Sequence, residues 1–182
     1  FTSDREFAAL VDQLVAESDR DGAEAELIFA GDMFEMFQLP HVDTFDPVAV
    51  YKSKDCYSST EPDSVRKVAL AIAGHPLFFA ALRRFVQPGP PRRCATFVKG
   101  NHDILIHWPA VHDLIRQAAG AAGDRAPLID FAARRISREG IYVEHGNEYS
   151  LFLDRVPNME EPFDPKKPGY LTHLQQIGRF LF

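Results

Sequence analysis

The sequence predicts an α/β fold, and three observations lead there. Short apolar runs at 25–30, 94–98 and 141–145 read as buried strands. Segments with apolar residues at three- and four-residue spacing lie between them and read as helices. Each apolar run passes at once into glycine beside a polar residue, at Gly31-Asp32, Gly100-Asn101 and His145-Gly146. With 182 residues the chain can form one sizeable core, and at 46% hydrophobic residues burial can offset chain entropy, so disorder is not the default.

The first helix rests on Phe7, Leu10, Val11, Leu14 and Val15, with Ser3 and Glu6 spaced as a capping box and Asp21-Gly22 ending it. The strand at 25–30 follows. Residues 38–60 have no period; Pro40, Pro47, Asp43, Asp46 and Ser58-Ser59-Thr60 predict a long loop or insertion, a kind of segment that often serves as a lid. A second helix starts near Pro62, with Val65, Val68, Ala69 and Ile72 as its apolar face, and breaks at Gly74-His75-Pro76. A third helical piece runs through Phe79, Leu82 and Phe85 to Pro88-Gly89-Pro90-Pro91. The strand at 94–98 then enters Gly100-Asn101-His102-Asp103. A helix after Pro109 carries Val111, Leu114, Ile115 and Ala118, and Gly120 and Gly123 end it. Two strands, 128–136 and 141–145, join through a turn at Arg138-Glu139-Gly140. The proline-rich stretch 157–168 reads as loop, and 170–182 as a helix.

A formal net charge of -6 argues against a stable nucleic-acid partner, since such binding needs many Lys and Arg at phosphates. It leaves a local positive site open, because a bound metal ion adds charge that no residue count includes. Cys56 and Cys94 stand far apart, without a CxxC, so neither a disulfide framework nor a thiolate zinc site is expected. A reduced, cytoplasmic setting is the simpler expectation. No run is apolar enough for a membrane span. The chain opens on Phe, so its start reads as a trimmed boundary and the lack of a targeting signal is uninformative.

If the strands are neighbours, their carboxyl ends bring Asp, Asn and His side chains to one site, where open α/β sheets gather ligands. A carboxylate, an amide oxygen and an imidazole suit a divalent metal of intermediate hardness. Glycine beside each permits tight turns and close backbone approach. Taken singly, each residue has a plainer reading. Asp32 could cap a helix, Asn101 could be a turn residue, His102 and Asp103 a solvated pair, and His145 a hydrogen-bonded strand end.

Gly31-Asp32-Met33-Phe34-Glu35, Gly100-Asn101-His102-Asp103 and Glu144-His145-Gly146, in this order, resemble the central motifs of the calcineurin-like metallophosphoesterase family. The resemblance spans roughly residues 25–150, and its Gly-Asp-x-Phe-Glu resembles the branch that includes UDP-2,3-diacylglucosamine pyrophosphatases. It implies a sandwich of mixed β-sheets flanked by helices, and hydrolysis of phosphoester or pyrophosphate bonds in a phosphorylated small-molecule or nucleotide-type substrate. It implies two divalent metal ions, Mn, Fe or Zn, that activate a water. Asp32 would bridge the ions, Asn101 and His145 would be ligands, His102 would face the phosphoryl group, and Asp103 would orient His102. Glu35 reads as a supporting residue and not as a ligand.

The family's initial Asp-x-His and final Gly-His-x-His have no counterpart, and His173 stands in the wrong context. The expectation is a partial domain, 1–182, cut at both ends, with about three of the usual ligands and little activity by itself. A non-catalytic binding module on the same scaffold is the rival from another class. A pyrophosphatase acting on a lipid-linked nucleotide is the rival among enzymes. It would need an apolar groove, with the loop at 38–60 as a candidate wall. Of the other histidines, His75, His107 and His112 are expected to be structural, with His41 and His107 the ones placed to touch substrate.

Overall fold

The computed structural model describes residues 3–150, 155–156, 158–164 and 166–167. It is mixed α/β. Strands β1 (Ala25–Phe29), β2 (Arg93–Val98) and β3 (Ile129–Ala132) form a parallel sheet in that order, and β4 (Arg135–Arg138) pairs antiparallel with β5 (Ile141–Glu144). Helices α1 (Asp4–Asp21), α2 (Ser53–Cys56), α3 (Glu61–Gly74), α4 (Pro76–Phe85) and α5 (Pro109–Ala118) fill the connections.

One aromatic row organises the core. Phe29, Phe97 and Phe131 are register partners across the three strands, with ring centroids 4.6 Å apart for the first pair and 5.5 Å for the second. Phe7 of α1 stacks on Phe78 of α4 at 4.5 Å, and both rings reach Phe29. Helices α1 and α4 thus cover the same face of the sheet. On the other face Arg138, from the hairpin, bonds Glu26 at 3.0 Å and Asp130 at 3.2 Å. Glu139 and Gly140 take positive φ of 51° and 80°, the conformation a tight two-residue hairpin requires.

Local chemistry explains where the helices start and stop. Thr60 caps α3 by accepting the Asp63 N–H at 3.4 Å, and Pro62 sits in the first turn, where a missing N–H costs nothing. Pro76 starts α4 afresh, and the two helix axes bend by 89° at that break.

Several expectations change. Ser3 makes no side-chain cap, because its backbone (φ -100°, ψ 8°) is not the extended conformation a capping hydroxyl needs. Ala69 faces solvent, and α3 instead buries Ser64, Lys67, Val68 and Ala71. The strand expected at 128–136 is two strands: the chain bends at Ala133-Arg134, where it passes the end of β2, and β4 leaves the parallel sheet to pair with β5. The loop at 38–60 contains α2 and is tied down. Arg66 bonds Asp43 at 2.8 Å, and the fully buried Lys67 donates to the Cys56 carbonyl. The helix expected at 170–182, and His173 within it, lie outside the described residues. Among the described residues no single helix is long and apolar enough to cross a membrane.

Because Phe97 touches both neighbouring strands and is 0% exposed, Phe97→Ala should destabilise the fold by about 3–5 kcal/mol. Chemical denaturation monitored by circular dichroism measures it; a loss under about 1 kcal/mol would show that the row is not central to the core.

Candidate functional site

Because β1 and β2 are adjacent and parallel, their carboxyl ends lie side by side. The chain leaves β1 through Gly31 and Asp32, both at positive φ, 96° and 54°. Aspartate is one of the few side-chain-bearing residues that tolerates this conformation. The turn aims the Asp32 carboxylate at the loop after β2, where its Oδ1 accepts the His102 N–H at 2.9 Å.

The two loops approach so closely that only glycine fits. A Cβ on Gly100 would sit 2.1 Å from Asp32 Oδ1, and one on Gly31 would sit 2.4 Å from His145 Nδ1. Asp103, 0% exposed, locks the contact: its Oδ1 accepts the Gly100 N–H at 2.7 Å and its Oδ2 the Met33 N–H at 2.8 Å. Burial pushes the Asp103 carboxyl up to about 6, against the backbone N–H bonds from Gly100, Met33 and Asp32.

His145 enters from the end of β5, in the other sheet. Its Nδ1 donates to the Ala30 carbonyl at 2.9 Å, and its Nε2 stands 3.0 Å from Asp32 Oδ2 and 3.1 Å from Asn101 Oδ1. The first of these bonds fixes the tautomer. In a neutral ring, Nε2 then carries a lone pair and faces two oxygens. Three acceptors at one point need a positive charge between them, either a proton on Nε2 or a cation. The pKa shifts express the same demand. Partial burial pushes the Asp32 carboxyl up, but the bonds from His145 and from the His102 N–H outweigh it, and it lies below the usual range. The bond to Asp32 raises His145, against burial.

Asp32, Asn101 and His145 are therefore brought together. Their donors, a carboxylate oxygen, an amide oxygen and an imidazole nitrogen, fit a divalent transition ion. Among the described residues there is no group of three or more His, Cys, Asp or Glu side chains that could hold a metal. The set here reaches three donors only by counting the Asn101 amide, and that is fewer than two catalytic ions need.

The structure places the Asp103 oxygens against the backbone N–H groups of the two loops. The His102 ring instead has Glu35 beside it: Glu35 Oε2 lies 2.6 Å from His102 Nδ1, with Phe37 edge-on to the ring. The sequence held the signal, since Glu35 follows Asp32 by three residues and the turn after β1 returns it to the same side.

Three other histidines have partners of their own, while the buried His41 Nδ1 has no hydrogen-bond partner among the described residues. His75 pairs with Asp4 at 3.1 Å, His112 stacks on Phe131 at 3.9 Å, and His107 lies 3.2 Å from Lys99 Nζ. Lys99 also bonds the Met159 carbonyl at 2.7 Å, and burial pushes it down to about 8. Comparisons with protein-family models, curated proteins and solved structures find no match.

Gly31→Ala and Gly100→Ala should each destabilise the protein by about 1–3 kcal/mol, with Gly31 the more costly because its φ is also positive. Gly74→Ala, with nothing within 4 Å of the added carbon, should be neutral or stabilising by about 0.5–1 kcal/mol. Thermal and urea melts of the three variants compare them. Equal effects at all three positions would contradict the close approach.

Proposed function

We propose that this region is the metal-holding part of a phosphoester or pyrophosphate hydrolase. The observation that carries the reading is the meeting of Asp32, Asn101 and His145 at one point beside a second, carboxylate-supported histidine. Asp32, Asn101 and His145 would hold a divalent ion, with Mn, Fe and Zn the candidates that this donor set suits. Such an ion supplies Lewis-acid polarisation of the phosphoryl group.

The other steps belong to the chain. Glu35 accepts from His102 Nδ1 and sets the ring's tautomer, so Nε2 is the nitrogen that exchanges a proton with the leaving oxygen. His102, with its side chain 34% exposed, is open to a substrate from outside. Asp103 keeps the loops of Asp32 and Asn101 in contact and acts only through that geometry. Gly100 lets Asp32 close on the loop after β2, and Gly31 lets His145 close on the turn that carries Asp32.

The test is Mn²⁺-dependent hydrolysis of bis(p-nitrophenyl) phosphate, with bound metal measured on the same samples. Asp32→Ala should remove both the metal and the turnover. His102→Ala should keep the metal and lower kcat by about 10²–10⁴-fold. Glu35→Gln should lower kcat by about 10–100-fold. Metal and turnover that survive Asp32→Ala would refute the reading. Metal binding without turnover would favour a non-catalytic module on the same scaffold.

A further inference from the structure

One cavity, largely apolar and bordered by Glu35, adjoins the site already described. A different one, of about 440 Å³ and so of small-molecule size, lies beneath Arg138. Strand alternation explains its polar floor. Phe29, Phe97 and Phe131 take the face that packs on α1 and α4, so Glu26, Cys94, Thr96 and Asp130 fall on the other.

The charges that line this cavity do not balance. Arg138 serves both of its carboxylates, Glu26 at 3.0 Å and Asp130 at 3.2 Å. Glu26 also accepts from the Thr96 hydroxyl, and Asp130 Oδ1 accepts the Phe131 N–H at 2.9 Å. Two further guanidiniums line the cavity and lean on uncharged groups. Arg92 Nη2 donates to the Pro127 carbonyl at 3.2 Å, and Arg116 Nε to the Ile129 carbonyl at 3.2 Å, with its guanidinium carbon 5.1 Å from the centre of the Phe131 ring. Those carbonyls are two residues apart, so both cations are held on one rim. The other acids nearby, Glu24 and Asp113, are exposed, and solvent screens them. Three guanidiniums thus face two carboxylates that Arg138 already satisfies, in a chain whose formal net charge is -6. Each guanidinium carries five N–H donors, and one bond to a carbonyl leaves most of them to offer.

We propose that this cavity binds a small organic anion, with its carboxylate or phosphate group held by Arg92 and Arg116 and its apolar body against Cys94, Ala126 and Pro127. A planar guanidinium fork matches the paired oxygens of such a group, and an anion entering a cavity needs that pairing. The site is independent of the hydrolase reading. None of its lining residues belongs to the Asp32–Asn101–His145 cluster or to the His102–Glu35 pair.

The probes are benzoate, phenylphosphonate and the uncharged benzamide, titrated calorimetrically into the protein in metal-free Tris chloride. The wild-type protein should bind at least one of the anions about tenfold more tightly than benzamide, and the tighter of the two identifies the group as carboxylate or phosphate. Arg92→Gln alters an exposed side chain, and Arg116→Lys keeps the charge but loses the fork. Each variant that keeps the wild-type melting temperature should bind that anion about tenfold more weakly. The exposed Arg92 makes Arg92→Gln the variant that decides if Arg116→Lys unfolds. Failure of both anions to bind at millimolar concentration would overturn the proposal, as would equal binding of benzamide or full affinity in Arg92→Gln. Binding lost in His102→Ala but kept in Arg92→Gln would place the anion at the hydrolytic site and overturn it too.

Discussion

The Asp103 carboxylate and two glycines govern the site. Strands β1 and β2 would lie side by side without them, because parallel pairing and the Phe29–Phe97–Phe131 row see to that. The loops that follow are different, since nothing in a sheet ladder draws two irregular segments together. Asp103 does so by accepting N–H groups from both loops, and Gly100 allows it by offering no side chain against Asp32, as Gly31 offers none against His145. A buried carboxylate is costly unless it is hydrogen-bonded, so the bonds that satisfy Asp103 also join the two loops.

That contact sets the electrostatics. Asp32 is pressed against His145 and Asn101 at distances where acceptors repel unless a positive charge lies among them. The anchoring of His145 Nδ1 on Ala30 removes the easy escape of turning the ring over. Beside this point, His102 and Glu35 form a separate pair open to solvent on one side and bordering an apolar cavity on the other. The Asp32–Asn101–His145 cluster, the His102–Glu35 pair and a largely apolar cavity are thus neighbours, with Glu35 shared by the last two.

Much of this was legible in the sequence, for physical reasons. Strands β1 and β2 were visible because both are short apolar runs bounded by turn residues, and the α3–α4 break because Pro76 cannot continue a helix. Asp32, Asn101 and His145 could be grouped because each follows a strand. Local signals failed where tertiary contacts decide. The run at 128–136 looks continuous because period-2 patterning cannot tell which partner each half will pair with. Lys67 is fully buried, with its ammonium donating to a backbone carbonyl from the loop before α3, a partner that no local pattern announces. Glu35, expected as a supporting residue, meets His102 from 67 positions away, a contact that adjacency in sequence does not reveal.

The central claim is that Asp32, Asn101 and His145 form one cation-binding centre at the ends of β1 and β2. Titration with Co²⁺, followed by its visible absorption, tests it most directly, because the spectrum reports nitrogen and oxygen ligation without turnover. The account predicts saturation at one equivalent, with an imidazole-type spectrum that His145→Ala abolishes and Asn101→Ala weakens, while His102→Ala leaves it in place. A spectrum unchanged by His145→Ala, or one abolished by His102→Ala, would contradict it.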